Sequence, residues 1–257
     1  MLAQERHQII LDLLNKNRVV KVQDLMATFN VSIETVRRDL DHLESQGFLR
    51  KVYGGAVISK KLAEEPSYSV REVAHLEEKK QIGVKCAELV EDGETLIIDL
   101  GTTTLEVAKN LKQKKNLTVI TNAINIALEL INVKDFRVFL AGGRLRYGDL
   151  SCSGFLTSDF LKQFNVDKAI IGVGGITLKD GISDYHVDEA GTRRLMIEQS
   201  NNVIAVTDYS KFGVKAFTKV CDLSDIDVLV TDWNVNEHLL RKYRKSIKAV
   251  LTCKKSE

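Results

Sequence analysis

"VSIETVRRDLDHLESQGFLRKVYGGAV", residues 31–57, carries four basic side chains and four acidic ones, so it has no net charge. Whether such a stretch can hold a polyanion depends on where each charge sits once the chain folds. Ser32 is suited to cap a helix whose apolar residues, Ile33, Val36, Leu40 and Leu43, recur at the spacing of one helical face, and Gly47 is suited to end it. At about 100° per residue, Val36, Leu40 and Leu43 fall together, Glu34, Arg38 and Ser45 lie roughly opposite, and Thr35 and Arg37 flank them. "FLRKVYGGAV" then reads as a β-wing with Gly54-Gly55 at its tip.

A recognition helix enters the major groove by its N-terminal end. Ser32, Glu34, Thr35, Arg37 and Arg38 are therefore the candidate DNA-contacting residues, with Arg50 and Lys51 adding phosphate contacts from the wing. Asp39, Asp41 and Glu44 come later and can lie away from a duplex. The i,i+4 spacing predicts the ion pairs Glu34–Arg38 and Arg37–Asp41, which open on DNA so that the arginines turn to phosphates or to guanine O6 and N7. By charge alone the stretch reads first as a surface helix laced with salt bridges, as most mixed-charge helices are. What favours DNA is the order upstream: a helix with Ile9, Ile10, Leu13 and Leu14 on one stripe, a short strand within "RVVK", a second helix over Val22–Phe29, then the capped helix and the wing.

Outward from this segment, 257 residues suggest two domains, one of them small. A hydrophobic content of 44% leaves ample material for a core, and a formal charge of +2 is too small for a protein that coats nucleic acid indiscriminately, so any DNA contact must be local. "MLAQERHQII" places charges where a signal peptide needs apolar residues, and no apolar run approaches the roughly 18 residues of a membrane span, so a cytoplasmic protein with no membrane partner is expected. Cys86, Cys152, Cys221 and Cys253 are far apart, without CxxC pairs or clustered histidines, and read as reduced structural thiols rather than metal ligands. Pro66 lies in a polar stretch that serves as a linker over 59–69, between a DNA-binding domain, 1–58, and an α/β domain, 70–257. After a helix from about Val70 to Val90, the apolar runs "TLIIDL", "LTVIT", "RVFLAGG", "AIIGVGG", "VIAVTD", "DVLVTD" and "KAVLT" alternate with helical stretches, the rhythm of a mostly parallel sheet with crossover helices.

"TLIIDLGTTTLEVAKNL" runs from a strand through Asp99, Gly101, Thr102, Thr103 and Thr104 into a helix. Backbone N–H groups at the helix start and threonine hydroxyls suit a phosphate, although a plain strand-to-helix turn with threonine caps explains the motif equally well. No GxxxxGK[ST] occurs, and "GVGG" at 172–175 lacks the third spaced glycine of a dinucleotide fingerprint, so no nucleotide cofactor is expected. Asn122, Gly143, Gly175 and Lys211 follow other strands, whose carboxyl ends share the edge where open α/β sheets bind ligands. In "DYHVDEAGTRRLMIEQS", Glu189 is a carboxylate suited to sugar hydroxyls, Asp184 and Asp188 read as helix-dipole partners, and His186 as a surface or packing residue.

Residues 31–57 resemble the winged helix-turn-helix signature of the DeoR family of bacterial transcription regulators, a "VS..T.RRDL..L...G.L.R.GGA"-type run, in which Ser32, Thr35, Arg37 and Arg38 match DNA-contacting positions. Lys21 stands where the family commonly has a serine or threonine cap. "DLGTTT", "TN", "AGG", "DEAGTRRLMI" and "DYSKFG" are similar, in order and spacing, to that family's effector domain, with Arg193 where lysine is usual. The resemblance implies a sugar-phosphate-sensing domain related to ribose-phosphate isomerase and CoA-transferase-like folds, with Asp99, Gly101, Thr102, Thr103, Thr104, Asn122, Gly143, Gly175, Glu189 and Lys211 as effector-binding positions. The reading is a homo-oligomeric repressor of a carbohydrate operon, partnered by operator DNA and a phosphorylated sugar. Its alternative is a sugar-phosphate isomerase or transferase with a DNA-binding arm, using Glu189 or Asp184 as base.

Overall fold

The structure, a computed structural model, describes residues 2–17, 19–45, 48–58 and 65–255. It divides into two compact units, Met1–Ala74 and His75–Glu257. Gly47 and most of the 59–69 linker lie outside the described residues.

The first unit runs α1 (Ala3–Asn17), β1 (Val19–Lys21), α2 (Val22–Phe29), α3 (Ile33–Ser45), β2 (Leu49–Val52), β3 (Gly55–Ile58) and α4 (Tyr68–Val73). Ile10 and Leu14 of α1, Leu25 and Phe29 of α2, and Val36, Leu40 and Leu43 of α3 meet in one core with Val20, Leu49 and Ala56. Ile33, expected on the same stripe, is only half-buried. The strands form an antiparallel sheet in the order β1-β3-β2. The turn of the wing is Tyr53-Gly54 rather than Gly54-Gly55. Gly54 takes φ +80, while Gly55 already belongs to β3, where a Cβ would stand 2.1 Å from the Val20 carbonyl oxygen. One glycine turns the chain and the other lets β1 approach.

Asp39, on α3, points inward. It is 5% exposed and accepts 2.7 and 3.0 Å hydrogen bonds from Arg6 of α1, with His7 Nε2 2.9 Å away. Burial acts to raise this carboxyl, but the hydrogen bonds and charges of Arg6 and His7 outweigh it and hold the carboxyl below the usual aspartate range.

The second unit continues with α5 (Leu76–Ala87), β4 (Thr95–Ile98), α6 (Thr102–Leu111), β5 (Thr118–Thr121), α7 (Ile124–Leu130), β6 (Arg137–Leu140), β7 (Arg144–Arg146), β8 (Ser151–Ser153), α8 (Phe155–Leu161), β9 (Val166–Gly172), β10 (Gly175–Thr177), β11 (Gly181–Asp184), α9 (Val187–Glu198), β12 (Ser200–Val206), β13 (Thr218–Cys221), β14 (Val228–Thr231), α10 (Glu237–Tyr243) and β15 (Ala249–Thr252). Seven strands form one parallel sheet in the order β15-β14-β12-β9-β4-β5-β6, and each corresponds to one of the seven apolar runs. Alternate side chains enter two cores. Ile97, Ile171, Ala205 and Leu229 pack with α8, α9 and α10 on one face, while Leu96, Ile98, Ile170 and Ile204 pack with α5, α6 and α7 on the other. Two antiparallel additions, β10-β11-β13 and β7-β8, were not expected. The helix expected over 70–90 is broken at Ala74-His75, where His75 takes the left-handed φ of 54°. No helix among the described residues is long and apolar enough to cross a membrane.

Replacing Asp39 by Ala removes the buried carboxylate that the Arg6 guanidinium and His7 bond, and we expect a loss of about 3–5 kcal/mol from the first unit. Faster hydrogen exchange across α1 and α3 in the full chain is the measurement. Because the Asp39 carboxyl is depressed, the wild-type advantage is present above the unfolded aspartate range and fades as pH falls through the folded value.

Candidate DNA-reading helix and effector site

At the start of α3, Ser32 Oγ accepts the Thr35 N–H at 3.3 Å and lies 3.1 Å from Thr35 Oγ1. The cap therefore uses both hydroxyls, as the sequence suggested for Ser32. At α2, by contrast, Lys21 provides no side-chain cap. Glu34, Arg37 and Arg38 are exposed.

The expected pairs Glu34–Arg38 and Arg37–Asp41 do not form. The wing folds back on the C-terminal half of α3 instead, so that Lys51 Nζ bonds Asp41 and the Lys51 N–H donates to Glu44 Oε1 at 2.7 Å. Lys51, expected to face phosphate, is thus engaged by Asp41, whose hydrogen bond is the main cause of its raised pKa. With Asp39 turned into the core and Asp41 and Glu44 tied to the wing, Arg37, Arg38 and Arg50 make no ion pair among the described residues. Tertiary contacts occupy three of the four acids of the neutral segment and leave its arginines available to a polyanion.

In the second unit the expected effector residues follow the carboxyl ends of the sheet strands, but several have internal tasks. Asp99 is 1% exposed; its Oδ2 accepts hydrogen bonds from Gly172 N–H (3.1 Å) and Arg193 Nε (2.6 Å), and its Oδ1 has no partner among the described residues. Burial pushes this carboxyl up against the opposing pull of Arg193. Thr104 Oγ1 donates to the Gly101 carbonyl at 3.0 Å, while the Thr102 and Thr103 hydroxyls have no such bond among the described residues. The first-turn amides of α6 have no intrahelical acceptor either.

Asn122, expected to face ligand, is fully buried: its Oδ1 accepts from Leu100 N–H (3.2 Å) and its Nδ2 donates to the Cys152 carbonyl (3.0 Å). Gly143 adopts φ +156 where a Cβ would meet Thr157 Oγ1 at 2.2 Å, so it serves close packing of α8 on the strand end. Gly175 lies inside β10, paired with Ser183. Lys211 sits in the short turn Tyr209–Lys211 beyond β12. There, burial would raise the Asp208 carboxyl, but His75, Lys211 and Lys79 hold it low.

A cavity of about 390 Å³ is lined by Arg144, Arg146, Tyr147, His186, Asp188 and Glu189, among others, and Glu189 is its one expected effector residue. Arg146 NH1 donates to Glu189 Oε1 at 2.6 Å and lies 2.7 Å from Asp149 Oδ2, and Arg146 NH2 is 2.7 Å from His186 Nε2, which accepts there. His186 is thus a member of a polar wall rather than a surface residue. Glu189 is 2% exposed, and burial pushes its carboxyl up to about 6 although Arg146 opposes the shift. Arg146 was missed by sequence reasoning; the signal was "RLR", whose alternation puts two arginines on one side of a short strand.

A family profile described as a DeoR-like helix-turn-helix domain matches residues 6–62, and one described as the DeoR C terminal sensor domain matches residues 74–233. The chain belongs to the DeoR family. It is a DNA-binding transcription regulator, and membership sets aside the alternative of an isomerase or transferase. The glycerol-3-phosphate regulon repressor of Escherichia coli is 37% identical over 228 residues, 89% of this chain and 90% of that protein. The transcriptional regulator GolR of Listeria innocua is 32% identical over 240 residues, 93% and 94%. The transcriptional repressor GlcR of Bacillus subtilis is 37% identical over 232 residues, 90% and 89%. Ribose 5-phosphate isomerase from Methanocaldococcus jannaschii aligns with a TM-score of 0.41 at 13% identity, over 55% of this chain and 56% of that one, a likeness too loose to bear on fold or chemistry.

Two outcomes follow for this DeoR-family chain. Arg38→Ala should weaken operator binding by about 1–3 kcal/mol, seen in titrations with the selected DNA sequence, with unchanged thermal unfolding. Because folding raises the Glu189 carboxyl from 4.5 to about 6, the folded state binds that proton more tightly, and the ionised group costs stability as pH rises through this range. The stability–pH curve of Glu189→Gln should therefore lack a decline of about 2 kcal/mol between the two values, measured by denaturant unfolding.

Proposed function

We propose that this regulator is a repressor of a carbohydrate-metabolism operon whose DNA affinity is lowered when a phosphorylated sugar or polyol binds its sensor domain. Residues 1–58 read the operator through Arg37 and Arg38, and residues 70–257 sense the effector. The observation that carries the effector reading is the start of α6, where the Thr102 and Thr103 hydroxyls and the first-turn amides have no partner among the described residues, close in sequence to Asp99, whose buried Oδ1 has none among them either. Those donors suit an ester phosphate. The name of the Escherichia coli relative, a glycerol-3-phosphate regulon repressor, supports the same ligand class. The effector lowers DNA affinity only by its unequal affinity for the two states of the chain. Operators are read as paired half-sites, so the active form is a homo-oligomer.

A panel of sugar and polyol phosphates, glycerol 3-phosphate included, should contain a compound that stabilises the full chain by about 2.7 kcal/mol at a hundred times its Kd and releases operator DNA. In Thr103→Val, operator binding should persist while both effects disappear. A variant that still responds fully would exclude the α6 start as the phosphate seat.

A further inference from the structure

Of fourteen large apolar side chains that the second unit exposes among the described residues, nine lie between 128 and 156. Such side chains scattered singly need no explanation, whereas a concentration does. These nine lie on α7 and the residue that follows it, the edge strand β6, the β7–β8 hairpin and the first turn of α8, elements that border the β6 edge of the sheet, with α7 on one side of it and α8 on the other. α7 packs on β6, Phe139 of β6 touches the ring of Phe164 just beyond α8 at 5.8 Å between centroids, and α8 packs on β8. Phe155 is 77% exposed, Leu156 67% and Tyr147 102%.

Weighted by their exposure, with the aromatic side chains Phe139, Tyr147 and Phe155 at about 150–250 Å² each when full and the Leu and Ile side chains smaller, the nine together expose on the order of 1,000 Å². That exceeds the largest patch of an ordinary monomer, about 300–600 Å², and matches the roughly 800 Å² that each partner buries in a stable dimer. Charge in the same segment is nearly balanced: Lys134, Arg137, Arg144 and Arg146 against Glu129, Asp135 and Asp149. A strongly one-signed face would repel a copy of itself across a two-fold axis, and a balanced one does not. Among the described residues β6 is also paired on one side only, with β5.

We propose that this face, from α7 across β6 and the β7–β8 hairpin to α8, is where a second copy of the chain docks through a two-fold axis. Leu145 and Tyr147 belong both to the face and to the lining of the cavity with Arg146 and Glu189, so pairing covers part of that cavity's wall.

The test is the mass of the full chain by light scattering and sedimentation at micromolar concentration, without DNA or effector, which keeps it separate from the sensor reading. Phe155 and Leu156 open α8, where acidic residues suit the helix dipole, so Phe155→Glu/Leu156→Glu should keep wild-type circular dichroism and melting. We expect a dimeric wild type, a dimeric Phe217→Glu control (an exposed apolar residue outside the face) and a monomeric double variant with its dimer Kd raised at least 100-fold. Tyr147→Arg, fully exposed on the hairpin, should weaken pairing in the same direction and serves if the double variant does not fold. A monomeric wild type, or folded face variants that pair as tightly as wild type, would overturn the proposal.

Discussion

Arg193 joins the parts of the second unit that approach a ligand. Its guanidinium, 3% exposed, bonds Asp99 at the end of β4 through Nε and Asp184 at the end of β11 through NH1. Asp99 also receives the Gly172 amide at the end of β9, and Asp184 receives the His186 amide that leads into α9. One cation therefore ties two neighbouring strands of the parallel sheet, the antiparallel β10-β11-β13 layer and the start of the helix carrying Glu189. Two buried carboxylates without it would be expensive, since removing one partner from a buried ionic group costs about 3–5 kcal/mol. The planar fork matters as much as the charge: it meets two acids in fixed directions, which a lysine ammonium does less rigidly. Asp99 Oδ1 has no partner among the described residues because the guanidinium and the Gly172 amide share the other oxygen.

The first unit solves a related problem by the opposite route. A neutral segment must present positive charge, and it does so by disposing of its acids. Asp39 is drawn into the core by Arg6 and His7, and Asp41 and Glu44 are drawn to the wing by Lys51. These contacts stabilise the fold and shape the surface field at once, because an acid already paired no longer offsets a neighbouring arginine. Local helix spacing suggested that the arginines themselves would be paired. The wing provides a cation nearer to Asp41, and the backbone bond of Glu44 is less costly to order than a pair of long exposed side chains.

Much of the architecture was legible because it rests on repeating patterns. The α3 stripe of Val36, Leu40 and Leu43 and the seven apolar runs of the parallel sheet state their burial in their own periodicity. β7, β8, β10, β11 and β13 were not legible: each has three or four residues, β10 and β11 begin with glycine, and their stability comes from neighbours distant in the chain. The break at His75 was hidden for a similar reason, since no glycine or proline marks it and a histidine adopts the left-handed turn. Among the candidate effector residues, Thr102 and Thr103 keep hydroxyls without a partner among the described residues, whereas Thr104 caps its own turn and Asn122 and Gly143 hold loops together.

By itself, then, the sequence determined the order of elements, the division into a small helical reader and a larger α/β unit, and the family, because periodicity, caps and turn residues act over a few positions. Only the tertiary structure decided which charges remain available, since each of the pairs Arg6–Asp39, Lys51–Asp41, Arg193–Asp99 and Arg146–Glu189 joins residues ten to ninety-four positions apart. A charge is neutralised by whatever stands within a few ångströms of it, and that neighbour is chosen by packing rather than by sequence order.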